Sequence, residues 1–399
     1  MRKIVIFDTQ EAHDNLLPLS FTRPLCDFRV GITTLREKIE AMMPGEVQVL
    51  PVDYLRDKFS DSGLRCGDCL YVAGNAVMTP ALAQRIEGLE PGCGLRVGDS
   101  PLAFRGDGDA FADYDFATAP EAEADMVRFV FDIFLLNARA VEADFRRLTA
   151  GRQSQPLPGS NLLIGSPVDE NGMPLLFIEE GASVEGATLN VKEGPIYIGK
   201  DAVVMEGATL RGPLALCANA KVKMGARIYS GSTFGPYCKV GGEVDNTVMF
   251  GYSNKAHDGY LGNAVIGEWC NIGAGVNASN LKNDYTKIRI WNYARHTFMR
   301  TDLQFCGLIM GDHSKAGVNC MFNTATVLGV GVNIHGSGFP RVFVPSFSEG
   351  SAAGGFSDVP MRKFYDIAER VMGRRGLKLT EKDRLIYERV REVAARFKG

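Results

Sequence analysis

Between Phe177 and His335 an aliphatic or small apolar residue returns at intervals of six, and no other property of the chain restricts its fold so tightly. The segments IGKDAV (198–203), MEGATL (205–210), KMGARI (223–228), IGEWCN (266–271) and MGDHSK (310–315) share the pattern, each setting a glycine beside an aliphatic or small residue. A side chain that points inward once in six residues, with small residues at the corners, suits three flat hexapeptides closing one triangular coil of roughly eighteen residues. Stacked coils then share one core. The pattern predicts a left-handed parallel β-helix, an exception to the right-handed rule for crossover connections. Two stretches break the rhythm, Gly251 to Gly259 (GYSNKAHDG) and Ser279 to Gln304. Interruptions of a solenoid are expected as loops on one face, where binding is usually found.

Residues 1–150 follow another pattern. KIVIFD reads as a buried strand ended by Asp8, Thr34 to Met42 reads as an amphipathic helix and Val127 to Arg147 as a further helix, so the first domain is expected to be α/β. Residues 151–176 are polar and contain proline, as a linker does. The β-helix is expected over 177–345, and 346–399 as a glycine-rich loop followed by two helices, Val359 to Arg374 and Glu381 to Phe397, which cap the solenoid or pack on a neighbouring chain. The longest apolar run, Val127 to Leu136, is interrupted by Asp132 and too short to cross a bilayer. MRKIVIFD lacks the apolar core and cleavage site of a signal peptide, which points to the cytoplasm. Nine cysteines scattered over a large chain read as reduced thiols, and Cys66 and Cys69 lack the second ligand pair of a zinc site. A net charge of −3 gives no electrostatic footprint for nucleic acid.

The run GYSNKAHDGYLGNAVIGEWCNIGAGVNASN (251–280) resembles the acetyltransferase half of the bifunctional glucosamine-1-phosphate N-acetyltransferase and N-acetylglucosamine-1-phosphate uridylyltransferase family, which carries a similar SKxxHxxYLGDAxIGxxxNIGAGxxxxN run. The chain as a whole is similar to a variant branch with a shortened, divergent nucleotidyltransferase-like first domain. This resemblance implies His257 as general base, Glu243 as the carboxylate that orients it, Arg227 as a phosphate ligand, Tyr260 and Asn271 as sugar contacts and Asn280 as a contact near the acetyl carbonyl. All six align without a gap. It further implies acetyl-CoA as co-substrate, an amino-sugar phosphate (glucosamine 1-phosphate favoured) as acceptor, and a homotrimer with its sites at the subunit seams. The chemistry needs a base, because only an unprotonated amine can attack the thioester, and histidine as a residue type titrates near ~6.5. Asp245 replaces a second phosphate-binding lysine of the family, Asn263 replaces its LGDA aspartate, and Asn280-Leu281 stands for an asparagine that precedes a tyrosine.

The first domain lacks the family's glycine-rich GxGTRM loop and PK pair. FDTQEAHDNLLPLSFTRPLCDFRVG stands there instead, resembles the variant branch, and offers Arg23 and Arg29 for nucleotide phosphates and Asp8 for Mg2+. An active domain of this kind would join a nucleoside triphosphate, UTP favoured, to a sugar 1-phosphate. Two competing readings are a non-catalytic hexapeptide scaffold and a hexapeptide carbonic anhydrase. The latter needs three histidines on zinc, and the histidine spacing after His257 does not supply them.

Overall fold

The computed structural model describes residues 2–60 and 67–398. The chain forms two compact units, one of the residues up to Phe28 with Thr33–Asp132, the other of Arg29–Ile32 with Ile133 onward. The division therefore falls at Asp132 rather than at 150.

In the first unit, β1 (Lys3–Phe7), β2 (Glu46–Leu50), β3 (Cys69–Ala73), β4 (Gly94–Val97) and β5 (Ser100–Gly106) make one sheet in the order β2-β1-β3-β5-β4. The central strand β1 pairs in parallel with β2 and β3, while β5 runs antiparallel to β3 and β4. A strand with partners on both sides and covered faces needs an unbroken apolar run, and Ile4, Val5 and Ile6 are buried. The helix Leu35–Met42 starts at a capping box, in which the Thr34 hydroxyl accepts from the Glu37 N–H and the Glu37 carboxylate accepts from the Thr34 N–H. Cys69 is disulfide-bonded, which corrects the expectation of nine reduced thiols. Oxidation depends on local geometry and redox setting, which spacing does not encode. Seven other cysteines are free, and Cys66 lies outside the described residues.

The second unit is the left-handed β-helix. Three parallel sheets share its coils, so that Ile196 pairs with Leu214 and Leu214 with Ser232, each one coil of eighteen residues onward. Ile198, Val204, Leu210, Leu216, Val222, Ile228, Phe234 and Val240 recur every sixth position and fill one buried core. The solenoid begins before the expected 177, because Leu162–Ile164 already pairs with Thr188–Asn190. A proline-containing polar stretch can still close a first coil when its backbone groups find the ladder.

Gly251 to Gly259 is a coil and not a loop. Lys255 occupies the aliphatic slot above Val240, is 1% exposed, and donates from Nζ to the carbonyls of Gly241 (3.1 Å) and His257 (2.6 Å). Its stem replaces the aliphatic and its ammonium reaches corner carbonyls. The insert from Ser279 to Gln304 carries an antiparallel hairpin, Arg289–Asn292 with Thr297–Arg300, whose Trp291 stacks on Phe343 at 4.3 Å. The expected glycine-rich loop after Ser346 is a second hairpin, Ser348–Ser351 with Gly355–Asp358.

The helix Asp132–Thr149 covers one solenoid face. Asn137 Nδ2 donates to the Gly231 carbonyl (2.8 Å) and to Thr233 Oγ1 (2.9 Å), while Val141 and Phe145 pack with Phe177 and Ala215. Along one edge, corner residues in the left-handed backbone region make an aromatic column: Tyr237 on Tyr252 (5.4 Å), Tyr252 on Trp269 (4.2 Å) and Trp269 on His313 (6.1 Å). The C-terminal helices Met361–Gly373 and Glu381–Ala395 close over this edge, with Phe364 packed edge-on against His313, Phe347 and Tyr387.

Candidate functional site

Strand register stacks three of the sequence candidates as successive rungs, since Arg227 pairs with Glu243 and Glu243 with Tyr260. Side chains alternate along each strand, so Ile228, Val244 and Leu261 fill the core while these three face outward. Arg227 Nε stands 3.6 Å from Glu243 Oε2. Below Tyr260, Asn277 Oδ1 accepts from the Tyr260 backbone N–H at 2.9 Å. The Tyr260 hydroxyl accepts from Asn280 Nδ2 at 3.0 Å, and the same nitrogen donates to Asn263 Oδ1 at 2.8 Å. Burial, then the neighbouring Asp245, push the Tyr260 phenol up to about 12, so it is a neutral hydroxyl at physiological pH. Asp245 itself is raised by burial and by the Glu243 charge.

His257 lies on the corner that joins Asn254–Lys255 to Tyr260–Gly262, and its ring is exposed. Among the described residues the ring makes no hydrogen bond or ion pair, and its own carbonyl is held by Lys255. Burial lowers the Lys255 ammonium to about 8. Glu243 therefore pairs with Arg227, and no hydrogen bond joins it to His257. The corner requires glycine at 259, where φ is +118° and a Cβ would collide with the Val276 carbonyl. Asn271 lies on the adjacent face, a rung between Asn254 and Lys315. One face thus carries Arg227, Glu243, Tyr260 and Asn280, the next carries Asn271, and His257 stands at the corner between them.

The first unit holds a cleft of about 100 Å³ just past the carboxyl ends of β1 and β3, lined by Phe7, Thr9, Asn15, Asn75, Met126 and Arg128 among others. Ligands of open α/β sheets collect at strand carboxyl ends, and that rule applied to KIVIF and CLYVA would have pointed to Thr9 and Asn75. None of the residues first singled out lines it. Arg23 is buried, and its charge acts on Asp27. Arg29 belongs to the solenoid unit and donates to the carbonyls of Ile32 and Phe250, which corrects its assignment to nucleotide phosphates. A guanidinium already satisfied by carbonyls has few donors left.

Asp8 Oδ2 accepts from the Leu25 N–H at 3.1 Å, while Oδ1 is inaccessible and without a hydrogen bond. Burial raises this carboxyl to about 7. The residues present do not fit a magnesium ion held by the protein. Asp8 Oδ1 is closed over by Gly74, where a Cβ would collide with it, and among the described residues no three side chains form a metal-binding group.

Residues 4–153 match the family model described as sugar nucleotidyl transferase. The chain is similar to the bifunctional protein GlmU of Synechococcus elongatus, 25% identical over 168 residues that cover 40% of this chain and 33% of that protein. It is also similar to the bifunctional protein GlmU of Trichodesmium erythraeum, 29% identical over 143 residues, 35% of this chain and 25% of that protein. The matched region therefore spans a third or less of these relatives' length. Among solved structures, a polysialic acid O-acetyltransferase, OatWY, aligns at 10% identity over 50% of this chain and 85% of that one with a TM-score of 0.24, a likeness that carries no argument.

Proposed function

We propose that the solenoid transfers an acetyl group from acetyl-CoA to the amine of an amino-sugar phosphate, glucosamine 1-phosphate being the favoured acceptor. The observation that carries this reading is the register stack of Arg227, Glu243 and Tyr260 leading to the exposed ring of His257. In this mechanism the acceptor ammonium loses a proton to solvent, and the free amine attacks the thioester carbonyl while His257 takes a second proton from the attacking nitrogen. A C–N bond forms, the C–S bond breaks, and that second proton passes from His257 to the departing thiolate. Arg227 supplies the phosphate contact and Glu243 fixes its guanidinium. Tyr260, held by Asn280, presents a neutral hydroxyl to the sugar, and Asn280 stands near the acetyl carbonyl.

Asn271 faces outward on the adjacent sheet, so it completes the site in a homotrimer, where a neighbouring chain would meet it at the seam. On the same reading the first unit transfers a nucleotidyl group from UTP to a sugar 1-phosphate at the cleft beyond β1 and β3. Similarity of residues 4–153 to sugar nucleotidyl transferases supports this second activity.

The test is thiol release from acetyl-CoA in the presence of glucosamine 1-phosphate. His257→Ala is expected to lower the rate by roughly 10²- to 10⁴-fold, the usual worth of a positioned general base. An unchanged rate in a folded variant would assign the solenoid to the non-catalytic scaffold class.

A further inference from the structure

On the sheet that contains Val203–Val204, Lys221–Val222 and Lys239–Val240, the outward positions run Val203, Lys221, Lys239, Asn254. Lys221 and Lys239 are register partners on neighbouring parallel strands, about 4.8 Å apart. Like charges placed so destabilise a sheet. Lys223 follows on the same face, and its neighbour on the next rung, Gly241, has no side chain to screen it; a Cβ there would stand 3.2 Å from Lys223 Cβ. Arg374 and Arg375 come from the turn that ends the helix Met361–Gly373. The Arg375 guanidinium lies over the Tyr237 ring, 5.7 Å from its centre.

The other four cations act on Lys239. Apart from partial burial, the charges that lower the Lys239 pKa are Arg375, Arg374, Lys221 and Lys223 in that order, all positive. None of the five side chains makes a hydrogen bond or an ion pair to a described residue. Elsewhere in this unit three arginines take carboxylate partners, Arg152–Glu179, Arg211–Glu193 and Arg227–Glu243. The helix C-terminus beside Arg374 offers only roughly half a negative charge. That is far too little to balance the cluster.

We infer that Lys221, Lys223, Lys239, Arg374 and Arg375 form a binding site for the adjacent phosphate groups of a small di- or triphosphate ester. Ammonium groups side by side suit neighbouring phosphate oxygens as point charges, and the two guanidinium groups add planar forks. Stacking on Tyr237 holds Arg375 in place before any ligand arrives, which reduces the ordering cost of binding. Coenzyme A and a nucleoside triphosphate both carry such phosphates. The site does not depend on the acetyl-transfer reading.

Calorimetric titration of the full chain with inorganic pyrophosphate, UTP, coenzyme A and orthophosphate, at low and high ionic strength, tests this. Pyrophosphate is expected to bind more tightly than orthophosphate, with affinity falling steeply as salt rises. Whichever of UTP and coenzyme A loses affinity in the variants below is the natural source. Lys221→Gln with Lys239→Gln, and separately Arg374→Gln with Arg375→Gln, should each weaken binding about tenfold per cation removed, as the loss of a charge-assisted bond predicts. The urea midpoint of the lysine variant should be at or above that of wild type, because a repulsion is removed, and that of the arginine variant should fall only slightly with the loss of the Arg375–Tyr237 contact.

Equal binding of pyrophosphate and orthophosphate would overturn the inference, as would double variants that bind like wild type. So would variants that change the sedimentation coefficient while leaving affinity intact, which would assign the lysines to contact between copies. Capture of an oligonucleotide or an anionic vesicle without any binding of the small phosphates would also refute it.

Discussion

Replacing Asp8 by asparagine should stabilise the α/β unit, and by an amount that depends on pH. The carboxyl is shifted from 3.8 to about 7 by burial. A shift of ~3 pKa units at 1.36 kcal/mol each corresponds to about 4 kcal/mol of penalty on the ionised form in the native state. The sign follows from proton counting. Below pH ~4 both native and unfolded chains carry the proton and nothing is lost; between ~4 and ~7 the native state keeps a proton that the unfolded chain releases, so stability falls by about 1.4 kcal/mol per pH unit. Above pH 7 the penalty is complete. Asparagine keeps an oxygen for the Leu25 N–H and has nothing to ionise.

Native-state amide exchange of the Lys3–Phe7 strand in the full chain, corrected for intrinsic rates, reads this directly. Tryptophan fluorescence would report the wrong unit, because both tryptophans, Trp269 and Trp291, lie in the solenoid. Asp8→Asn should protect the strand by roughly 2–4 kcal/mol more than wild type at pH 8, allowing for partial hydration of the site, with the gap closing to under about 1 kcal/mol at pH 4. Equal protection at pH 8, or a gap that persists unchanged at pH 4, would refute the reasoning.

Two substitutions probe the His257 corner. Gly259→Ala places a Cβ against the Val276 carbonyl at a φ of +118°, and should cost at least ~2 kcal/mol in solenoid stability, read by tryptophan fluorescence in urea. Lys255→Met keeps an unbranched stem in the aliphatic slot and removes an ammonium whose burial is unfavourable. The unfolding free energy should stay within about 1 kcal/mol of wild type while acetyl transfer falls at least tenfold, because the His257 carbonyl loses its donor. Parallel loss of both would mean that Lys255 only supports the fold.

The solenoid was legible because its core repeats in the sequence: from Ile198 to Val240 the six-residue interval marks the interior without exception. Lys255 hid one coil because an ammonium in an aliphatic slot reads as an interruption until the carbonyls of Gly241 and His257 are seen around it. A helix was legible over Val127 to Arg147, where the structure has Asp132–Thr149, but not its partner, since an apolar face does not name the surface that it covers. Tyr237, Tyr252 and Trp269 occupy left-handed corners where side chains are uncommon, so their alignment could only be found in the structure. In the site, strand register places Arg227, Glu243 and Tyr260 on one face. Spacing could not show that Glu243 would meet Arg227, or that Asn271 lies round the corner.

The C-terminal helices bear on how this chain would come apart. A stack in which each coil touches only its neighbours can peel from an end, one rung at a time. Here Arg375 rests on Tyr237, Phe364 on His313 and Phe347, and Lys398 on the Phe347 carbonyl, so a single helical clasp spans rungs many residues apart. Fraying at the last coil cannot proceed far without releasing that clasp from the middle of the stack, and unzipping becomes a concerted event.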